Sequence, residues 1–273
     1  MSESPVVVIC QNESQRRAAA HLAERLHVPL LLAIDPVELT EPDYALVFAE
    51  RVFLQQTGRK APGPVLVDFL AGSLEHRRRF GGGKGQALAK ACGLDKKKPL
   101  HILDLTAGLG RDGFVLASLG CEVRMLERSP LVHALLSDGL MHGQAQGTLE
   151  QQEILARMQL ELADALEYLP QQPEDSVEVV YLDPMFPERQ KSADVKKEMR
   201  SFQHLVGEDP DADELLEAAL RVAYYRVVVK RSRRAPFLAA RSPSYSLEGK
   251  STRYDIYALR TLLGESAPLP KAQ

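Results

Sequence analysis

Apolar and polar positions along this chain follow two different periods, and each change of period marks an element. An apolar run from Val6 to Cys10 reads as a strand, Ser14 to Leu26 carries helical spacing, and Leu30 to Ile34, Tyr44 to Ala49 and Val65 to Leu70 read as further strands. The pattern predicts a small N-terminal α/β domain over residues 1–73. Residues 74–99 follow as a basic, glycine-rich connection and a helix, because Arg77, Arg78 and Arg79 run into a glycine cluster that holds no regular structure.

From residue 100 strands and helices alternate regularly, the pattern of a parallel sheet covered by helices on both faces. His101 to Leu105 reads as a strand, Asp112 to Leu119 as a helix stopped by Gly120, and Cys121 to Glu127 as the next strand. Ser129-Pro130 supplies a cap and a first helical residue, and Thr148 with Gln151 forms a capping-box signal for a helix reaching about Met158. Gln159 to Leu162, Val177 to Leu182 and Arg226 to Lys230 are the following strands, with Asp211 to Val222 helical. Tyr245 to Leu247 and Tyr254 to Leu259 flank Gly249 as a terminal hairpin. The main α/β domain is therefore expected over 100–262, with 263–273 as a flexible tail.

A chain of 273 residues with 45% hydrophobic content can bury one large core and a smaller satellite. Its formal charge of -3 gives no overall basic field, so any contact with nucleic acid must come from local clusters. Three stand out: Arg77, Arg78 and Arg79 with Lys84; Lys191, Lys196 and Lys197; and Lys230 with Arg231. Cys10, Cys92 and Cys121 lack paired spacing, which argues against a disulfide framework and a zinc site and leaves no metal expected. No apolar run approaches the roughly 20 residues that span a bilayer, and the N-terminus lacks the basic-then-apolar order of a secretory signal. A cytoplasmic protein without a membrane partner is expected. Lys84 is followed by neither Ser nor Thr, so its glycines do not make a nucleotide P-loop, and the absence of HExxH and GxSxG patterns leaves hydrolase chemistry unsupported.

The chemistry concentrates in two loops. Gly108 and Gly110 follow a strand and open a helix, where a ligand can approach the backbone and meet helix N-terminal amides. Gly113 completes a GxGxxG pattern, so an NAD-binding Rossmann protein is one reading, and Glu127, ending the next strand, lies where ribose hydroxyls would be held. The wording Asp-Leu-Thr-Ala-Gly-Leu-Gly also resembles the first motif of S-adenosylmethionine methyltransferases, which implies that Asp104 organises the methionine end. Asp164, followed by Ala165, resembles the adenine-contacting acid of those enzymes.

The second loop, Asp183-Pro184-Met185-Phe186, resembles the Asp/Asn-Pro-Pro-Tyr/Phe motif of enzymes that methylate exocyclic or amide nitrogens, with Met185 departing from the second proline. An aryl amine lends its lone pair to the ring and attacks poorly until acceptors hold its N–H groups. Asp183 and the Pro184 carbonyl are candidate acceptors, and Phe186 offers a face on which a flipped-out base can stack. These three are the candidate catalytic residues. DNA or RNA adenine amines would fit the same loop.

Together, HRRRFGGGKG, DLTAGLGRDGFVLASLGCEVRMLERSP, YLDPMFPERQKSADVKKEMR and RYDIYA resemble the RsmJ-type ribosomal RNA small subunit (16S rRNA) guanine-N(2)-methyltransferase family, over about residues 65 to 259. The resemblance implies a Rossmann-like class I S-adenosylmethionine-dependent methyltransferase sheet. It further implies methylation of the exocyclic amine of a guanine near the 3′ end of 16S rRNA, free or in a 30S particle, in the cytoplasm. Carried over by position, cofactor contacts fall on Arg111, Asp112, Glu127, Arg128, Asp164, Ala165 and Asp183.

Overall fold

The computed structural model describes residues 5–70, 83–95, 99–184 and 211–262. These divide into two compact units, each with its own sheet. In the first, β1 (Val6–Cys10), α1 (Arg16–Leu26), β2 (Leu30–Leu32), β3 (Tyr44–Phe48) and β4 (Val52–Gln56) build a sheet in the order β2-β1-β3-β4. β1 and β3 are buried along their whole length, which their unbroken apolar runs require of central parallel strands. Val7, Ile9, Ala45 and Val47 form the core of this sheet.

Where a strand is expected over Val65 to Leu70, the chain makes a single bridge from Val65 to Leu54. Pro64 supplies no ladder donor on one side of that bridge, and on the other the Val67 carbonyl accepts from Arg51 Nη2 at 2.6 Å. β4, with two glutamines and no clean alternation, carries no strand signal in the sequence.

The second unit contains α2 (Ala87–Cys92), β5 (His101–Asp104), α3 (Arg111–Ser118), β6 (Glu122–Glu127), the last residues of α4 (Pro130–Gln146), α5 (Leu149–Leu155) and β7 (Met158–Leu162). It continues through α6 (Ala165–Tyr168), β8 (Val177–Leu182), α7 (Ala212–Val222), β9 (Ala223–Ser232), β10 (Tyr245–Glu248) and β11 (Thr252–Ala258). Its sheet runs β10-β11-β9-β8-β5-β6-β7, parallel from β7 to β9 and closed by the antiparallel β10–β11 hairpin. This is the α/β class expected from the alternating pattern. Strand order reverses direction between β5 and β8, so a ligand crevice belongs outside the carboxyl ends of those two strands.

The helices show why the sequence folds this way. α7 buries Leu215, Leu216, Ala219 and Val222, one apolar stripe at helical spacing, against the sheet residues Val180, Val227 and Val229. α5 opens with the capping box anticipated at Thr148 and Gln151. α3 packs so closely that a Cβ on Gly113 would lie 2.7 Å from the Met125 sulfur, which explains the third glycine without invoking a cofactor. The three cysteines are buried free thiols.

Candidate active site

Four parallel strands bring the sequence-selected acids to one edge of the second sheet. Asp104 ends β5 and pairs in register with Tyr181 of β8 and Met125 of β6; Glu127 ends β6 opposite Leu162; Asp164 follows β7; and Asp183 follows β8. The β5–α3 loop turns through Gly108 and Gly110, whose φ values of 53 and 69 lie in the left-handed region that favours glycine. A Cβ at Gly108 would meet only the Thr106 carbonyl, at 4.0 Å, so the space above this turn is open.

Each loop residue is tied down. Glu127 Oε2 accepts from the Gly108 amide at 2.9 Å, and Asp104 Oδ1 accepts from the Thr106 amide at 3.0 Å. The Asp183 amide donates to Thr106 Oγ1 at 2.6 Å, joining the β5 and β8 loops at the switch point of the sheet. Asp164 Oδ1 accepts from the Leu166 amide and so caps α6, while Ala165 is part of the core. Arg128 donates to both oxygens of Asp211, at 3.0 and 2.9 Å. Arg111 and Asp112 form the first turn of α3.

The sequence reading places Lys230 among phosphate contacts, and the structure corrects this. Its Nζ lies 2.7 Å from Asp112 Oδ2 and 2.7 Å from Asp183 Oδ2, because Leu182 pairs with Val229 and the next residues on the two strands face one another. Tyr181 donates its hydroxyl to the same Asp112 oxygen at 2.7 Å. Arg231 is likewise buried, with Nη2 donating to the Pro236 carbonyl at 2.8 Å, and is no surface ligand for phosphate. Phe186, Arg77, Arg78, Arg79, Lys191, Lys196 and Lys197 lie outside the described residues, as does the Lys84 side chain.

Three carboxylates, Asp104, Asp112 and Asp183, thus share a small volume with one ammonium. Burial, then Asp112 and Asp183, push the Asp104 carboxyl up to about 7 against the opposing pull of the Thr106 amide and Lys230. For Lys230 burial acts to lower the pKa, but Asp183 and Asp112 outweigh it and hold the ammonium well above its ordinary range. The cluster carries excess negative charge, which suits a ligand bearing a sulfonium and an ammonium. The sequence motifs do not single out Tyr181 or Thr106 as site residues. The available signal is parity, since Tyr181 lies two residues before Asp183 on the strand and so shares its face.

Comparison with known proteins bears on this geometry. Residues 35–259 match the family described as "Putative SAM-dependent methyltransferase". The ribosomal RNA small subunit methyltransferase J of Cellvibrio japonicus is 53% identical over 250 residues, covering 90% of this chain and 94% of that protein. The chain belongs to the ribosomal RNA small subunit methyltransferase J family. Its Hahella chejuensis member is 49% identical over 96% of this chain and 98% of its own length. A crystal structure of a SAM-dependent methyltransferase from Neisseria gonorrhoeae is 36% identical and superimposes with a TM-score of 0.67, covering 92% of this chain and 96% of that one. Members of this methyltransferase J family use S-adenosylmethionine, which the glycine turn and carboxylate cluster fit. That cofactor assignment displaces the NAD reading of GxGxxG.

Proposed function

We propose that the protein methylates the exocyclic amine of a guanine near the 3′ end of 16S rRNA, free or within the 30S particle, in the cytoplasm. The observation carrying this reading is Asp183, a carboxylate fixed at the β5/β8 switch point by Thr106 behind its amide and Lys230 on its side chain. Bound S-adenosylmethionine supplies an electrophilic methyl on a sulfonium. Asp104, Gly108, Gly110, Arg111, Asp112, Glu127, Arg128, Asp164 and Ala165 would hold it, with the buried acids facing its positive charge.

Asp183 and the Pro184 carbonyl would accept the two N–H groups of the target amine and set its nitrogen lone pair toward the methyl. Positioning of this kind converts a poor nucleophile into an adequate one without a formal base, and a carboxylate beside the nitrogen stabilises the positive charge that develops there. Phe186 would stack on the flipped-out base. The loop chemistry serves any such amine, and the choice of guanine in 16S rRNA rests on the family resemblance and on the names of the relatives. Among the described residues no helix is long and apolar enough to cross a membrane, and no group of His, Cys, Asp and Glu is arranged to hold a metal ion.

The test is genetic. Digested 16S rRNA from cells lacking the protein is expected to have lost one N2-methylguanosine, restored by the wild-type chain and not by Asp183→Ala. Unchanged N2-methylguanosine content in the deletion strain overturns the assignment.

A further inference from the structure

The sequence marks Asp183 as the amine acceptor, but the structure gives it an obligatory neighbour. Lys230 is the last residue of an RVVVK run in a buried strand, and its side chain is only 23% exposed. An ammonium at that depth needs partners, and it has two, one in the helix that follows the glycine turn and one in the base-clamping loop. We infer that Lys230 is a positioning residue for methyl transfer, fixing the Asp183 carboxylate in one orientation and coupling it to Asp112 beside the cofactor loop. This rests on the reading of Asp183 as the amine acceptor.

The physical argument has two parts. An aspartate after a strand rotates about its side-chain bonds, and a 2.7 Å charge-assisted bond to Oδ2 removes that freedom from the group that must hold the amine. The second part is charge. Among the described residues, Asp183 acts on Asp104 of β5, Tyr181 of β8 and Lys230 of β9, with Asp112 of α3 sharing Lys230 and with Tyr254 of β11 opposite Lys230 in register. Among these described groups Lys230 is the cation, and loss of its charge would let the three acids repel one another more strongly. Asp183 would then take up a proton at higher pH and lose the charged acceptor it offers to its amine hydrogen.

The test uses the full chain with 16S rRNA, comparing Lys230→Gln, Lys230→Arg and wild type by single-turnover rate across pH, with KM for RNA and binding of S-adenosylhomocysteine measured alongside. Lys230→Gln is expected to lower the transfer rate by about tenfold or more at neutral pH, with the RNA KM little changed. Its acid limb should move to higher pH by about one to three units, because loss of the opposite charge favours protonated Asp183. Lys230→Arg should bring the limb back and recover most of the rate. If Lys230→Gln does not accumulate as folded protein, Lys230→Met keeps most of the aliphatic length without the charge and is read the same way. A folded Lys230→Gln or Lys230→Met with wild-type rate and an unmoved acid limb, whatever its melting temperature, overturns the inference. Full activity in Asp183→Ala overturns the acceptor reading itself, an outcome separate from the first because it does not depend on any Lys230 variant.

Discussion

The Asp183 amide donates to Thr106 Oγ1 across 2.6 Å, so the residue that would hold the target base is anchored to the loop that would hold the cofactor. Thr106→Val keeps the shape and deletes the acceptor, leaving that amide unsatisfied at a cost of about 1–3 kcal/mol. Methyl transfer should slow as well, since the clamp loses its backbone anchor, whereas Thr106→Ser should retain both stability and rate. Chemical denaturation with single-turnover kinetics on the two variants checks this, and equal behaviour of Val and Ser would count against the anchor.

Asp104 makes stability depend on pH. Its folded carboxyl titrates near 7 because of burial and its acidic neighbours, against an unfolded value of about 3.9. The folded state therefore holds the proton more tightly; the resulting stabilisation is complete below about pH 4 and is lost as pH rises through about 7. Asp104→Asn should gain melting temperature relative to wild type between about pH 5 and about pH 8. Parallel melting curves over that range would show that Asp104 is not the titrating group.

Gly113 sits under Met125, with no room for a methyl group. Gly113→Ala should destabilise the protein by about 1–3 kcal/mol through overpacking. Its binding of S-adenosylhomocysteine should survive where the fold does, because the glycine serves helix-to-sheet packing. A variant that keeps its stability but loses the cofactor product would give Gly113 a direct role at the ligand.

Glu127 joins β6 to the glycine turn by accepting from the Gly108 amide. Glu127→Ala should weaken S-adenosylhomocysteine by about tenfold or more, given about 1.5–3 kcal/mol for a hydrogen bond to a charged group. Calorimetry reads this directly, and NAD in the same cell should show no binding. Tighter binding of NAD than of S-adenosylhomocysteine would contradict the cofactor assignment.

Much of the main sheet is legible in the residues alone. Strands β8 and β9 announce themselves as β-branched runs, and the Thr148 capping box is readable from two residues. The acids at the ends of β5 to β8 can be ordered along the chain because parallel strands all end at one edge. Pairing across that edge has no such signal. Whether Lys230 meets phosphate or Asp183 depends on the register of Leu182 with Val229, a tertiary fact with no local signature. The same holds for Arg231, whose burial follows from its place on a strand flanked by β8 and β11. The unsignalled β4 and the overextended strand over Val65 to Leu70 share a cause, since short edge segments have too few residues for a period to emerge.

The most direct measurement is labelled-methyl transfer from S-adenosylmethionine by the purified protein to 16S rRNA and 30S particles lacking the modification, followed by nucleoside mass spectrometry. N2-methylguanosine as the labelled product, abolished by Asp183→Ala in a protein that still binds S-adenosylhomocysteine, is the expected result. Labelled methyladenosine, or no labelled nucleoside from either substrate, would contradict it.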